Sequence, residues 1–211
     1  GKPKAAVQIA HGAAEHGERY ARFGEFLAAN GYVAYADDHR GHGKTAGTLE
    51  KAGIVGPAGW DGMMDSVHQL SGIIKQENPG VPLILFGHSM GSMMAQRYMQ
   101  LWGDEVLGVV LSGTFGSLGD DIDGTIAAAK GLVDQLGPDN PSELFASMFA
   151  SFAEPFPPVK TGFEWLSRDE AEVQKYVDDP FCGFPFSNAL VLELFKGGKV
   201  MWSAEEEAKI P

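Results

Sequence analysis

The sequence places a serine where a hydroxyl becomes a nucleophile. Gly87-His88-Ser89-Met90-Gly91 follows the apolar run Val81–Phe86 directly, and a helical pattern from Met90 to Leu101 leaves directly from it. A sharp strand-to-helix turn strains its central residue and lifts that side chain off the sheet. The two backbones nearly touch there, so small residues are needed two before and two after. Gly87 and Gly91 meet that need. Ser89 then stands at a helix N-terminus, where N–H groups and the dipole favour a developing negative charge. The chemistry this predicts is attack on a carbonyl carbon. Such attack needs at least two N–H donors aimed at the oxyanion. Met90, the residue after the nucleophile, offers one. The loop His11-Gly12-Ala13-Ala14-Glu15-His16, after the first apolar run, is placed to offer the other from Ala13.

A third polar cluster, Asp37-Asp38-His39-Arg40-Gly41-His42-Gly43, could be read as a metal site. Zinc needs three or four ligands in rigid geometry, and this H-x-x-H lies in a glycine-containing loop. The expected role is a structural loop that buttresses the active-site face. No metal and no cofactor are expected.

The elements that must position these residues alternate in the first half. Apolar runs at Ala5–Ala10, Tyr32–Ala36, Val81–Phe86 and Val106–Leu111 read as strands. Between them, Tyr20, Phe23 and Leu27 recur at helical spacing, as do Trp60, Met63, Met64, Val67, Leu70 and Ile74. Strands alternating with helices imply right-handed crossovers and a parallel sheet, here in the spatial order second, first, third, fourth. After Thr114 the strand signals stop. A Gly-rich loop, a small-residue helix near 122–136 and helices near 142–152, 167–178 and 187–197 follow, with Pro155 to Pro158 between the second and third. Three segments are expected: a core over 1–114, a helical insert over 115–204 and the start of a return to the core over 205–211.

Charge divides the chain at the same place. The 211 residues carry a formal net charge of −12. Residues 1–114 contribute −2 and residues 115–211 contribute −10. Nucleic-acid binding needs clustered Lys and Arg, and this balance argues against it. No apolar run approaches the ~18 residues of a membrane span, so membrane contact is expected to be peripheral at most. The N-terminus lacks the form of a signal peptide, and the single cysteine, Cys182, fits a reducing compartment. A cytoplasmic, bacterial protein is expected. The oligomeric state is not legible.

Three motifs in order, H-G-x-x-E-H-x-x-R-Y, D-H-R-G-H-G and G-H-S-M-G-S, resemble the monoacylglycerol lipase and lysophospholipase branch of the α/β-hydrolase fold. Phe163 to Asp169 and Asp178 to Phe184 resemble cap segments of bacterial members. The resemblance implies a mainly parallel sheet flanked by helices, with a helical cap over the site. It implies a serine ester hydrolase with Ser89 as nucleophile and Ala13 and Met90 as oxyanion donors. Glu15 and Arg19 match polar positions near the alcohol end of the substrate, and His88 joins them as a substrate-side residue. The implied partner is a small ester or monoacyl lipid. Phe145, Met148, Phe149, Phe152, Phe156, Phe181, Phe184 and Phe186 are the apolar candidates for its acyl site, though cap packing accounts for most of them. Ala14 and Ser92 stand where many members have glycine; both are small and should fit.

A serine needs a base, and the base an orienting acid. In this fold the order is Ser, acid, His. The six histidines, at 11, 16, 39, 42, 68 and 88, all precede Ser89. The acid and base are therefore expected beyond Pro211, and the hairpin that opens this fold is expected before the strand at 5–10. The alternatives are a binding protein of the same fold without a triad, or a thioesterase, short-chain esterase or aminopeptidase.

Overall fold

A computed structural model of the chain describes residues 1–117 and 119–211. The Gly-rich stretch expected after Thr114 includes Leu118, which lies outside them. Four strands, β1 (Ala6–Ala10), β2 (Val33–Ala36), β3 (Leu83–His88) and β4 (Gly108–Ser112), form one parallel sheet in the order β2-β1-β3-β4. This is the order expected from the alternation.

Helices α1 (Ala21–Ala29), α2 (Gly59–Glu77) and α3 (Met90–Trp102) connect the strands. The predicted stripe of α2 packs inward: Trp60, Met63, Met64, Val67 and Ile74 are buried. Gln8, a polar residue buried in β1, is satisfied by the same helix. Its amide donates to the Val67 carbonyl at 2.8 Å and accepts from the Ser71 hydroxyl at 2.6 Å. Strand β3 starts at Leu83 rather than Val81 because Pro82 has no N–H to give the ladder. Its carbonyl still accepts from Ala6 N–H.

The remaining helices are α4 (Ile122–Leu136), α5 (Glu143–Ala153), α6 (Glu170–Asp178), α7 (Asn188–Met201) and α8 (Ala204–Glu207). Serine side chains cap α5, α7 and α8, and Asp169 caps α6. That cap starts α6 three residues later than its pattern suggests. Helix α7 runs four residues past its expected end, through Gly197 and Gly198. Those glycines are packing sites, not stops. A Cβ on Gly197 would lie 2.7 Å from the Trp60 ring, and one on Gly198 2.8 Å from Trp202.

One apolar cluster runs across the position-114 divide. Met94 and Tyr98 of α3 share it with Phe145, Phe186, Leu190 and Met201. Polar ties reinforce the seam. Gln100 donates to the Met201 carbonyl at 2.6 Å, and Arg97 meets Glu206 at 2.6 Å. Among the described residues β2 and β4 are sheet edges, and β4 exposes Val110 and Leu111. No described helix is long and apolar enough to cross a membrane.

Candidate active site

Ser89 sits between β3 and α3 with φ 51° and ψ −117°. A left-handed φ on a serine is strained and persists only when its surroundings fix it. They do so from three directions. Ser89 N–H donates to the Ser112 carbonyl of β4 at 2.9 Å. Its own carbonyl accepts from Ser92 N–H at 2.8 Å and from the Ser92 hydroxyl at 2.6 Å. The glycines allow the contact: a Cβ on Gly87 would lie 2.3 Å from the Gly91 carbonyl oxygen, and one on Gly91 2.1 Å from that of Ala10. Ser92, expected only to be small enough, pins the turn with its hydroxyl.

The His11–His16 loop lies against this turn. A Cβ on Gly12 would come within 3.3 Å of Ser89 Cβ and 3.2 Å of the His88 ring. The Gly12 carbonyl shares its peptide with Ala13 N–H, and it accepts from His11 Nδ1 at 2.8 Å. His11 Nε2 accepts from His39 N–H at 3.0 Å, which leaves the proton on Nδ1. The D-H-R-G-H-G loop thus orients the peptide that carries Ala13 N–H. His11 and His39 stack with ring centres 3.9 Å apart, and the His42 ring presents its face or edge to Phe184 and Phe186. All three imidazoles are buried. Burial, helped by the neighbouring imidazoles, holds His11 well below its ordinary pKa and His42 at about 3. Burial pushes the Asp37 carboxyl up, but His39 beside it outweighs this and leaves it below its usual value.

Ala14 does more than fit a small space. Its φ is 51°, so the position favours glycine for backbone conformation and not for size. Glu15 is buried and accepts three hydrogen bonds, from Gly12 N–H at 2.6 Å, Tyr20 OH at 2.8 Å and Arg19 Nε at 3.0 Å. Arg19 also lies 4.9 Å from the centre of the Tyr176 ring. His88 Nδ1 lies 3.2 Å from the Ser112 hydroxyl. The structure therefore gathers Ser89, Met90, Ala13, Glu15 and His88 around one turn, with Arg19 behind Glu15. Tyr20 closes the first sequence motif but its hydrogen bond to Glu15 does not show there, and Tyr176 has no signal in the sequence. Each shows its role only through a contact.

Three of the histidines are occupied elsewhere. His11 is locked as described, His16 pairs with Asp179 at 2.9 Å, and His68 pairs with Glu105 at 3.1 Å. His39 and His42 do not form a ligand set. Among the described residues one trio, His16, Asp179 and Cys182, brings ligand atoms within 4.8 Å of one another. The Cys182 thiol there is pushed up to about 12 by burial and Asp179.

Two cavities flank the loop. One of ≈ 280 Å³ is apolar, bounded by Ala14, Phe145, Phe149, Phe163 and Phe184. The other, ≈ 490 Å³, is lined by charged residues including Arg19, Lys44, Lys175 and Asp179. Of the other aromatic candidates, Phe186 is fully buried, Phe156 is exposed, and Phe181 faces the charged cavity.

A family model described as serine aminopeptidase, S33, matches residues 1–211. The chain belongs to this family of α/β-hydrolases. Its relatives place it in the monoacylglycerol lipase branch. It is 32% identical over 141 residues to a monoacylglycerol lipase of Mycolicibacterium smegmatis, covering 67% of this chain and 49% of that one. It is 34% identical over 95 residues to the human monoglyceride lipase, covering 45% and 30%. A thermostable carboxyl esterase of Bacillus coagulans, solved with glycerol, superposes with a TM-score of 0.89 at 30% identity. That match covers 100% of this chain and 69% of the esterase. This α/β-hydrolase chain thus spans half or less of the length of these two curated relatives.

Proposed function

We propose that the chain carries the nucleophile and oxyanion half of a serine carboxylic-ester hydrolase that acts on monoacylglycerols or lysophospholipids. The observation that carries this is Ser89 itself, a non-glycine residue held at φ 51° between β3 and α3. In this reading Ser89 Oγ attacks the ester carbonyl and its proton passes to a base. The oxyanion is held by Met90 N–H, unpaired in the first turn of α3, and by Ala13 N–H. The tetrahedral adduct collapses to an acyl-serine and the protonated alcohol leaves. Water then releases the acid by the same steps. In this reading the base and its acid come from beyond Pro211, because in this fold they follow the nucleophile and all six histidines of residues 1–211 precede Ser89. Glu15 acts by holding Gly12 and Arg19. The apolar cavity beside Ala14 takes the acyl chain; at ≈ 280 Å³ it sits near the lower limit of ordinary ligand sites, about 300 Å³. The glycerol bound by the Bacillus esterase and the names of the curated relatives support an alcohol of that kind.

The family's own description supports a second reading, cleavage after a peptide N-terminus. An ammonium group needs a carboxylate partner, and Glu15 beside the turn is already paired with Arg19 and accepts from Gly12 N–H and Tyr20 OH as well. The ester reading is therefore preferred. Fluorophosphonate labelling of the full-length protein tests it: Ser89 should be the modified residue, and Ser89→Ala should abolish labelling. Absence of labelling would remove the enzyme reading and leave a binding protein of the same fold. p-Nitrophenyl esters of graded length and aminoacyl anilides then separate lipase from esterase and peptidase. A sharp preference for acetate would count against a lipase.

A further inference from the structure

The backbone on either side of Ala13 is held, and one of the holds comes from the distant part of the chain. On one side Glu15 accepts from Gly12 N–H at 2.6 Å and from Arg19 Nε at 3.0 Å. The Arg19 guanidinium stands 4.9 Å from the centre of the Tyr176 ring on α6. On the other side the Tyr176 hydroxyl donates to the Ala14 carbonyl at 2.8 Å, and Gly183 N–H donates to the same oxygen at 2.9 Å. The contacts close a ring around Ala13: Gly12, Glu15, Arg19, Tyr176, Ala14. Ala14 is the residue at φ 51°, a conformation that lasts only when its surroundings over-determine it. Two donors on its carbonyl provide that, and both come from residues 176–183.

We propose that Tyr176 is a positioning residue for the oxyanion donor. Its hydroxyl holds the Ala14 carbonyl and so keeps Ala13 N–H aimed beside Ser89. This rests on the proposed role of Ala13. Burial pushes the Tyr176 phenol up from its ordinary value, so the hydroxyl keeps its proton at working pH. Helix α6 and the donor loop then move as one unit, and lifting the helix releases the donor.

Tyr176→Phe in the full-length enzyme is the test, because it keeps the ring against Arg19 and removes only the hydroxyl. Losing an oxyanion donor outright lowers turnover by about 10²–10³; a donor that is present but loosened should lose about tenfold. The expected result is a roughly tenfold fall in kcat on a monoacylglycerol, with KM changed by less than about twofold. Affinity for a trifluoromethyl ketone, bound as an oxyanion adduct, should fall by the same factor. Hydrogen exchange in peptides covering residues 11–18 should quicken, a readout that needs no activity. Unchanged kcat and ketone affinity, or unchanged exchange, would overturn the proposal. So would a lowered Tm with no change in these constants, which marks a merely structural tyrosine. Fluorophosphonate labelling separates the two failures. Silence at Ser89 in the unsubstituted protein removes the underlying reading, whereas normal labelling with equal constants in both proteins removes Tyr176 alone.

Discussion

Lowering the pH from 7 to 5 is expected to weaken the fold through His42. In the unfolded chain an imidazole titrates near 6.5. In the fold His42 is held at about 3 by burial. Its Nδ1 donates to the Arg40 carbonyl at 3.0 Å, and its ring packs on Phe184 and Phe186. Below pH 6.5 the unfolded state takes up a proton that the folded state refuses. The contribution of His42 is therefore complete above 6.5 and is lost steadily as pH falls toward 3. Between pH 7 and 5 the loss is about 2 kcal/mol. Burial lowers His11 as well, and it acts in the same direction. A domain has only about 5–15 kcal/mol in total, so the effect is large. With a urea slope of about 2 kcal/mol per molar, the midpoint should drop by about 1 M from His42 alone. Tryptophan fluorescence of the full-length protein in urea at pH 7, 6 and 5 measures this. His42→Phe, which keeps an apolar ring against Phe184 and Phe186, supplies the comparison. Its stability at pH 7 is free to differ, but its midpoint should fall by about 1 M less over the same pH range. An identical pH dependence in the two proteins would refute the reasoning.

Gly91→Ala should prevent folding or destabilise by about 3 kcal/mol, because its Cβ would lie 2.1 Å from the Ala10 carbonyl oxygen; recovery of soluble protein and urea midpoints read this out. Ala14→Gly should change stability by no more than about 0.5 kcal/mol, since relief of the left-handed conformation is offset by unfolded-chain entropy. Ala14→Val adds a β-branched side chain at the same φ and should lose more than about 2 kcal/mol in thermal melts. Residues 115–211, at net −10, should be repelled by anionic lipid surfaces. Vesicle sedimentation at low salt should show weaker binding to anionic than to zwitterionic vesicles, and equal binding would contradict it.

The sequence discloses the sheet and the turn because both have local signatures. An apolar run of five or six residues marks each strand, and G-x-S-x-G after such a run marks the strained serine. Gly87 and Gly91 could be read for the right reason, since the close approach they permit lies within the motif. Ala14 could not, because size and backbone conformation both favour glycine and only the structure separates them. The reason α7 carries Gly197 and Gly198 shows only when Trp60 and Trp202 are seen against them. The contacts of Glu15 with Tyr20, of His16 with Asp179 and of Ala14 with Tyr176 leave no periodic trace. The last two join residues more than 160 positions apart. Pairing over such distances depends on the assembled fold and not on neighbouring residues.

The contacts that strain Ser89 and those that steady its neighbouring loop belong to different moments of synthesis. Ser112, Ser92 and Ala10, which surround the serine, all lie within the first 112 residues. Tyr176 and Gly183 follow the last of them by 64 and 71 residues. At about 5–20 residues per second, a ribosome takes roughly 3–14 s to make that stretch. Once residue 112 has left the exit tunnel, the nascent chain holds all three of these groups. The loop beside that turn waits for α6. In stalled nascent chains, hydrogen exchange at Ser89 and Ser92 would time the turn, and exchange at Gly12–Glu15 would time the arrival of the helix.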